Sequence, residues 1–299
     1  MTTAGRDPFA RYRERLDAVG FRPSSTRGQN FLLDPSLHRC IADAAAPRAT
    51  DLVLEVGVGL GFLTRELAPR CAALVGVEID DRLLAIARDE LRPFANVELV
   101  LADAIGGDGG TLHPAVTAAL AARQPADGAF LVVANLPYAA SGPLLAELSC
   151  LHRAPDRIVV LVQRELAQRL AAAPGSSDYG GLAAQLQVGY AIEQLRTVGA
   201  EVFRPRPKVQ SALLRLERRA DAPVLPAAAR RQFSAFARTL FGKRRKVLRT
   251  TLAEAAAAIG GQLPALGEAL LARRAETLTP RELLDLWART APPRAAGAP

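Results

Sequence analysis

The chain has 299 residues, 49% of them hydrophobic, which is enough to bury a core in each of about two domains and excludes an intrinsically disordered chain. No apolar run approaches the ~20 residues of a membrane helix, and Arg6, Arg11, Arg13 and Arg15 leave no signal-like apolar stretch, so a cytoplasmic, membrane-free protein is expected. Three widely spaced cysteines, Cys40, Cys71 and Cys150, argue against both a disulfide framework and a metal site.

The charge is uneven. Residues 201–299 hold 19 of the 38 Lys and Arg but only 8 of the 30 Asp and Glu, making this third about +11 and the rest about −3. A polyanion that meets one end of the molecule explains this asymmetry, with a solvated basic surface as the alternative.

In chain order, residues 1–27 are basic and read as an arm or irregular lead-in. Asp34-Pro35 is an N-cap followed by proline at the first helical position, opening a helix to about Ala46. Strands at Leu52–Val56, Ala73–Glu78 and Val97–Leu101 alternate with helices at Phe62–Ala68 and Asp81–Leu91, the βαβαβ rhythm of a doubly wound parallel sheet. The Gly- and Ala-rich segment Gly106–Gly128 reads as a loop and one surface helix before the apolar strand Phe130–Ala134. Pro143–Cys150 is expected to be helical, Arg157–Val162 a strand and Glu165–Ala172 a helix.

Pro174–Gly181 is an exposed turn before a helix at Leu182–Tyr190 and two last strands, Leu195–Val198 and Ser211–Leu216. The expected organisation is an α/β domain over 1–219 and a smaller all-helical domain over 220–290, followed by a disordered tail, 291–299. Helices in the second domain are placed at Ala227–Phe241, Lys243–Ala258, Pro264–Leu271 and Pro280–Thr290.

Three strand ends carry the chemistry. Gly57, Gly59 and Gly61 follow the first strand at alternate positions, where bare backbone passes close under a ligand at a helix N-terminus. Phe62 occupies the third glycine position of a dinucleotide fingerprint and argues against NAD. Glu78 ends the next strand, where an acid accepts from ribose hydroxyls. Asp103 ends the third and either accepts from an adenine amino group or merely caps the next helix. Together they describe a nucleoside-bearing ligand across the sheet's carboxyl edge, for which S-adenosylmethionine is the reading.

Asn135-Leu136-Pro137-Tyr138 closes the strand at Phe130–Ala134. Pro137 stiffens the loop, and the Asn135 side-chain oxygen and Leu136 carbonyl form two acceptors beside the Tyr138 ring, a match for a planar base with an amino group. Alternatively, the stretch is a simple Asn-x-Pro turn with a surface tyrosine. Phe203 would stack on the second face of such a base, or else anchor its proline-rich loop.

These motifs recur in a fixed order: Gly28–Leu32, Glu55–Gly61, Glu78–Asp80, Asp103-Ala104, Asn135–Tyr138, Gln163–Glu165, Pro174–Ser176 with Tyr179-Gly180, and Phe203–Val209. In this the chain resembles the ribosomal RNA adenine N6,N6-dimethyltransferases, and within them the 16S kasugamycin-resistance branch, over roughly residues 20–290. The resemblance implies a Rossmann-like methyltransferase fold and dimethylation of two adjacent adenosines in the 3′-terminal hairpin loop of 16S rRNA. It also implies S-adenosylmethionine as cofactor, the assembling 30S subunit as partner and a monomer.

Carried over residue by residue, the resemblance assigns Asn30, Leu32, Gly57, Glu78, Asp103 and Asn135 to the cofactor, and the reading of the glycine loop adds Gly59 and Gly61. Asn135, Leu136, Pro137, Tyr138 and Phe203 fall to the target base. Arg204, Arg206 and Lys208 beside the pocket, and Lys243, Arg244, Arg245, Lys246 and Arg249 opening a helix of the second domain, are the expected RNA contacts. Val58 where proline is common, Ala139-Ala140 after the tyrosine, Gln210 and the long segment 104–129 depart from the family pattern. The alternatives are a 23S rRNA resistance methyltransferase and a non-catalytic ribosome-assembly factor.

Overall fold

The structure, a computed structural model, describes residues 10–22 and 30–292. In chain order they form α1 (Ala10–Ala18), β1 (Phe31–Leu32), α2 (Pro35–Ala45), β2 (Leu52–Val56), α3 (Phe62–Leu67), β3 (Ala73–Glu78) and α4 (Asp81–Leu91). There follow β4 (Val97–Leu101), α5 (Pro114–Arg123), β5 (Phe130–Asn135), α6 (Tyr138–Leu148), β6 (Arg157–Gln163), α7 (Arg164–Ala171) and α8 (Gly181–Gly189). The last elements are β7 (Tyr190–Val198), β8 (Phe203–Arg204), β9 (Ser211–Arg218), α9 (Ala227–Gly242), α10 (Leu248–Ala257), α11 (Glu268–Leu271) and α12 (Pro280–Thr290).

Contacts divide the described chain into two compact units. The first holds the residues up to Glu147, with Pro155–Arg164 and Gln194–Leu216. Its seven-stranded sheet has the order β4-β3-β2-β5-β6-β9-β7, and the four neighbour pairs from β4 to β6 are parallel. β2 and β3 are buried along their whole length, which is why they read as unbroken apolar runs. The chain moves outward from β2 to β4 and returns at β5, so the C-terminal ends of β2 and β5 flank the switch point where such sheets bind ligands.

The second unit comprises Leu148–Ala154, Glu165–Glu193 and the residues from Glu217. It is wider than the 220–290 read from sequence, because α8 packs on α9 and α12. Tyr179, Phe233, Phe236, Leu240 and Trp287 lie in its core. α12 begins with a full capping box: the Thr279 hydroxyl accepts from the Glu282 N–H at 3.2 Å, while Glu282 Oε2 accepts from the Thr279 N–H at 2.8 Å.

Four expectations are corrected. Part of the lead-in is the helix α1, since Tyr12 and Leu16, one turn apart, pack with Phe21 onto Phe31, Leu60, Leu83 and Ile86. α6 starts at Tyr138 rather than Pro143: the Pro137 carbonyl accepts from the Ala140 and Ser141 N–H groups and fixes the first turn ahead of the internal proline. β7 starts at Tyr190 rather than Leu195. The helix expected over Lys243–Ala258 is divided, because Lys243 leaves helical backbone at φ −123° and ψ 44° and α10 begins only at Leu248. The tail reading from 293 onward, and that of 1–9 and 23–29, lies outside the described residues. Among the described residues no helix is long and apolar enough to cross a membrane.

Candidate active site

A cavity of about 350 Å³ lies in the first unit at the switch point, within the ~300–1,000 Å³ usual for ligand clefts. Its wall includes Asn30, Leu32, Gly57, Gly59, Glu78, Asp103 and Asn135, so seven of the eight residues assigned to the cofactor from sequence converge there. Gly61, the eighth, is outside the wall. At φ 77° it is the N-cap of α3 and makes the turn, with its N–H donating to the Val58 carbonyl at 2.9 Å.

The loop after β2 needs bare backbone. Gly57 and Gly59 have φ of 80° and 56°, where a side chain is strained. A Cβ on Gly57 would lie 3.7 Å from the Asn135 carbonyl oxygen, and one on Gly59 would lie 3.5 Å from the Phe31 ring. Glu78 holds this loop: its carboxylate accepts from the N–H groups of Gly59 at 2.8 Å, Ile79 at 2.9 Å and Asp80 at 3.0 Å. Burial nevertheless pushes its pKa upward, and the three backbone donors oppose this. Asp103 Oδ1 accepts from the Ile105 N–H at 3.1 Å while its side chain stays exposed, so it caps the turn and faces the cavity at once.

Asn135 is fixed from across the cavity mouth. Its Nδ2 donates to the Asn30 carbonyl at 3.1 Å, which leaves Oδ1 as the acceptor end of the amide. The Leu136 N–H donates to the Leu161 carbonyl at 3.1 Å, and among the described residues none donates to the Leu136 carbonyl. Tyr138 is half-buried, its hydroxyl 2.8 Å from the fully buried Ser211 hydroxyl. Asn135 and Pro137 line the cavity, whereas Leu136 and Tyr138 do not.

Phe203 is placed differently from the stacking role. It is 1% exposed, paired with Leu32 in the β1–β8 ladder and packed among Leu37, Ile41 and Leu213. The ring is covered, so it anchors the loop that follows it. Arg206 and Lys208 are exposed on that loop, but the Arg204 guanidinium turns back to the Glu201 and Phe203 carbonyls at 2.8 and 2.9 Å.

In the second unit the basic run lies in the turn between α9 and α10 rather than on a helix. Lys243 pairs with Glu254 at 2.7 Å, and Arg249 with Glu268. Arg244 donates to the Ser177 and Tyr179 carbonyls at 2.5 and 3.3 Å and fastens the Pro174–Gly181 turn. Arg245 and Lys246 are exposed, and among the described residues no carboxylate pairs with either.

Sequence reasoning missed two groups in the cavity wall, His38 and Glu55. His38 lies on the buried face of α2 against the Phe62 ring at 5.6 Å, and burial lowers its pKa to about 4, so it is neutral at pH 7. Its helix pattern gave no sign of this. Glu55 carried a signal: a carboxyl inside an apolar strand. It is 1% exposed, and burial raises its pKa to about 8.

With this geometry in view, residues 21–269 match the family model described as ribosomal RNA adenine dimethylase. The chain belongs to that family. It is 39% identical over 243 residues to the ribosomal RNA small subunit methyltransferase A of Geobacillus thermodenitrificans, covering 81% of this chain and 80% of that protein. Identity is 36% over 272 residues to the protein of the same name from Chlorobium luteolum, covering 91% of each. The solved 23S rRNA methyltransferase ErmE is 27% identical with a TM-score of 0.57, covering 87% of this chain and 99% of that one. A dimethyladenosine transferase from Plasmodium falciparum shares the fold at a TM-score of 0.66 and 21% identity, covering 85% of this chain and 95% of that one. The chain is therefore a methyltransferase of the α/β class.

Proposed function

We propose that this enzyme uses S-adenosylmethionine to dimethylate N6 of two adjacent adenosines in the 3′-terminal hairpin loop of 16S rRNA, acting on the assembling small subunit in the cytoplasm. The observation that carries the reading is the meeting of Asn135 with the glycine loop at the switch point, its amide already oriented by Asn30. The donor set fits the cofactor: glycine backbone for close approach, Glu78 and Asp103 for hydroxyl and amino groups, and no Lys or Arg among the described wall residues to repel a cation.

S-adenosylmethionine supplies an electrophilic methyl group. An adenine amino nitrogen is a weak nucleophile because its lone pair is delocalised into the ring. Accepting its hydrogens on Asn135 Oδ1 and the Leu136 carbonyl favours a pyramidal nitrogen and turns the lone pair outward. The proton becomes acidic only as the new bond forms, so no strong base has to act first. This is catalysis by positioning and electrostatics. Tyr138, tethered through Ser211, offers the base a stacking face worth about 1–3 kcal/mol. Small side chains at Ala139 and Ala140 in the wall leave room for the monomethylated base in the second transfer.

Arg206 and Lys208 near the base, and Arg245 and Lys246 in the second unit, are the cations available for rRNA phosphates. The likeness to a 23S enzyme supports a second reading, but the curated relatives at 36–39% identity carry the small-subunit name. Asn135→Ala tests the chemistry. Methyl transfer should fall by at least a hundredfold with rRNA binding kept; a variant of near-normal activity would overturn the role given to Asn135.

A further inference from the structure

Arg164 is a cation beside the base site to which the reading above gives no part. β6 neighbours β5 in the sheet, with Leu161 in register with Asn135 and the Leu161 carbonyl holding the Leu136 N–H at 3.1 Å. Arg164 follows three residues later, where β6 has ended and α7 begins, so its backbone stands about 10 Å further out along the strand direction at ~3.3 Å per residue. Its own N–H donates to the Gln210 carbonyl at 3.0 Å, and its Nη1 donates to Gln210 Oε1 at 2.7 Å. The next residue, Ser211, is the one whose hydroxyl meets Tyr138. Consecutive residues at the start of β9 therefore tether the guanidinium and the stacking ring.

The tether leaves the charge uncancelled. Arg15, Arg70, Arg82, Arg123 and Arg273 of this chain each meet a carboxylate. Arg164 and Gln210 are both exposed, and among the described residues no carboxylate pairs with Arg164. An amide oxygen fixes where a guanidinium points without neutralising it. It takes one of five N–H groups, and the Nε–Nη2 edge, the fork that fits a phosphate through two parallel hydrogen bonds, is engaged by no described residue. Arg206 and Lys208, exposed on the loop that leads to Gln210, add charge of the same sign to this rim.

We propose that Arg164, aimed by Gln210, clamps a backbone phosphate beside the flipped target adenosine and is thereby a positioning residue for the rRNA substrate. The proposal rests on the rRNA reading above. A base drawn out of its stack enters the pocket while its phosphates stay at the rim. A cation fixed at the rim then sets the register in which the base arrives, without reading sequence. The contact is made equally in the ground state and the transition state, so its loss appears in KM rather than in kcat. The alternative is a purely structural tie between the end of β6 and the start of β9, for which a carboxylate at position 210 would serve at least as well as the amide.

Gln210→Glu separates the two roles, because it keeps the side-chain length and the hydrogen bond but sets a carboxylate against the guanidinium. The readouts are filter binding of the whole chain to unmethylated small subunits from low to moderate salt at fixed magnesium, and methyl-transfer kinetics on the same particles. Arg164→Ala should weaken binding and raise KM about tenfold and lower the salt slope by about one phosphate contact, with kcat and S-adenosylhomocysteine affinity within about twofold of the wild type. Arg164→Lys, which keeps the charge and loses the fork, should fall between the two. Gln210→Glu should weaken binding about as much as Arg164→Ala, and adding it to Arg164→Ala should cost less than about threefold more, since the clamp is already gone. An unchanged salt slope in Arg164→Ala, undiminished binding by Gln210→Glu, or an effect of Gln210→Glu that persists in full when residue 164 is alanine would overturn the proposal. Thermal unfolding checks that the variants fold, and if Arg164→Ala does not, Arg164→Lys takes its place in the cycle. Failure of the wild type to bind small subunits removes the rRNA reading and this contact with it, a result distinct from tight binding that the variants leave unchanged.

Discussion

Replacing Glu55 by glutamine should change how stability depends on pH. In the unfolded chain the carboxyl titrates near 4.5; in the folded protein burial moves it to about 8. Below pH 4.5 both states hold the proton, and stability is unaffected. Between 4.5 and 8 the folded state binds more protons than the unfolded one, so each pH unit removes about 1.4 kcal/mol of stability. By pH 7 the cost is about 3 kcal/mol, and above pH 8 it levels off. Glutamine keeps the shape and does not titrate, so its own desolvation cost is constant. Urea unfolding of both proteins at pH 5, 6, 7 and 8, followed by circular dichroism, gives the difference. The variant should gain on the wild type steadily as pH rises. A difference that stays flat from pH 5 to 8, or that favours the wild type at high pH, would refute the argument that Glu55 is buried neutral.

Three further outcomes follow from particular contacts. Ser211→Ala removes the partner of the Tyr138 hydroxyl and should cost about 1 kcal/mol, seen as roughly fivefold weaker use of the rRNA substrate with cofactor affinity unchanged. Thr279→Ala removes half of the α12 capping box and should lower the stability of the second unit by about 1 kcal/mol in thermal unfolding. Reversing Arg245 and Lys246 to glutamate should weaken rRNA binding and reduce its dependence on salt by about two phosphate contacts. Filter binding between low and moderate salt would show this, and an unchanged slope would make the turn a solvated surface.

The sheet was legible because β2, β3 and β5 are buried runs bounded by glycine, acid and proline, and their ends also located the cavity. Helix bounds were legible where a cap states them, as at Asp34-Pro35 and Thr279-Pro280, but not where tertiary contact decides them. α1 forms because Tyr12 and Leu16 find an apolar bed on α3 and α4, and nothing in its basic sequence announces that bed. Side-chain roles were the least legible. Phe203 is an aromatic beside a proline-rich loop in either role, and only the packing around it shows the ring to be covered. Arg244 is one of four consecutive cations in sequence, yet it is committed to the Ser177 and Tyr179 carbonyls while its neighbour Arg245 is exposed.

Methyl transfer from labelled S-adenosylmethionine to unmethylated small subunits, followed by mapping of the modified bases, tests the central claim most directly. The account predicts four methyl groups per subunit, two on N6 of each of two adjacent adenosines near the 3′ end of 16S rRNA. Label found only on 23S rRNA, or on no adenine N6, would contradict it.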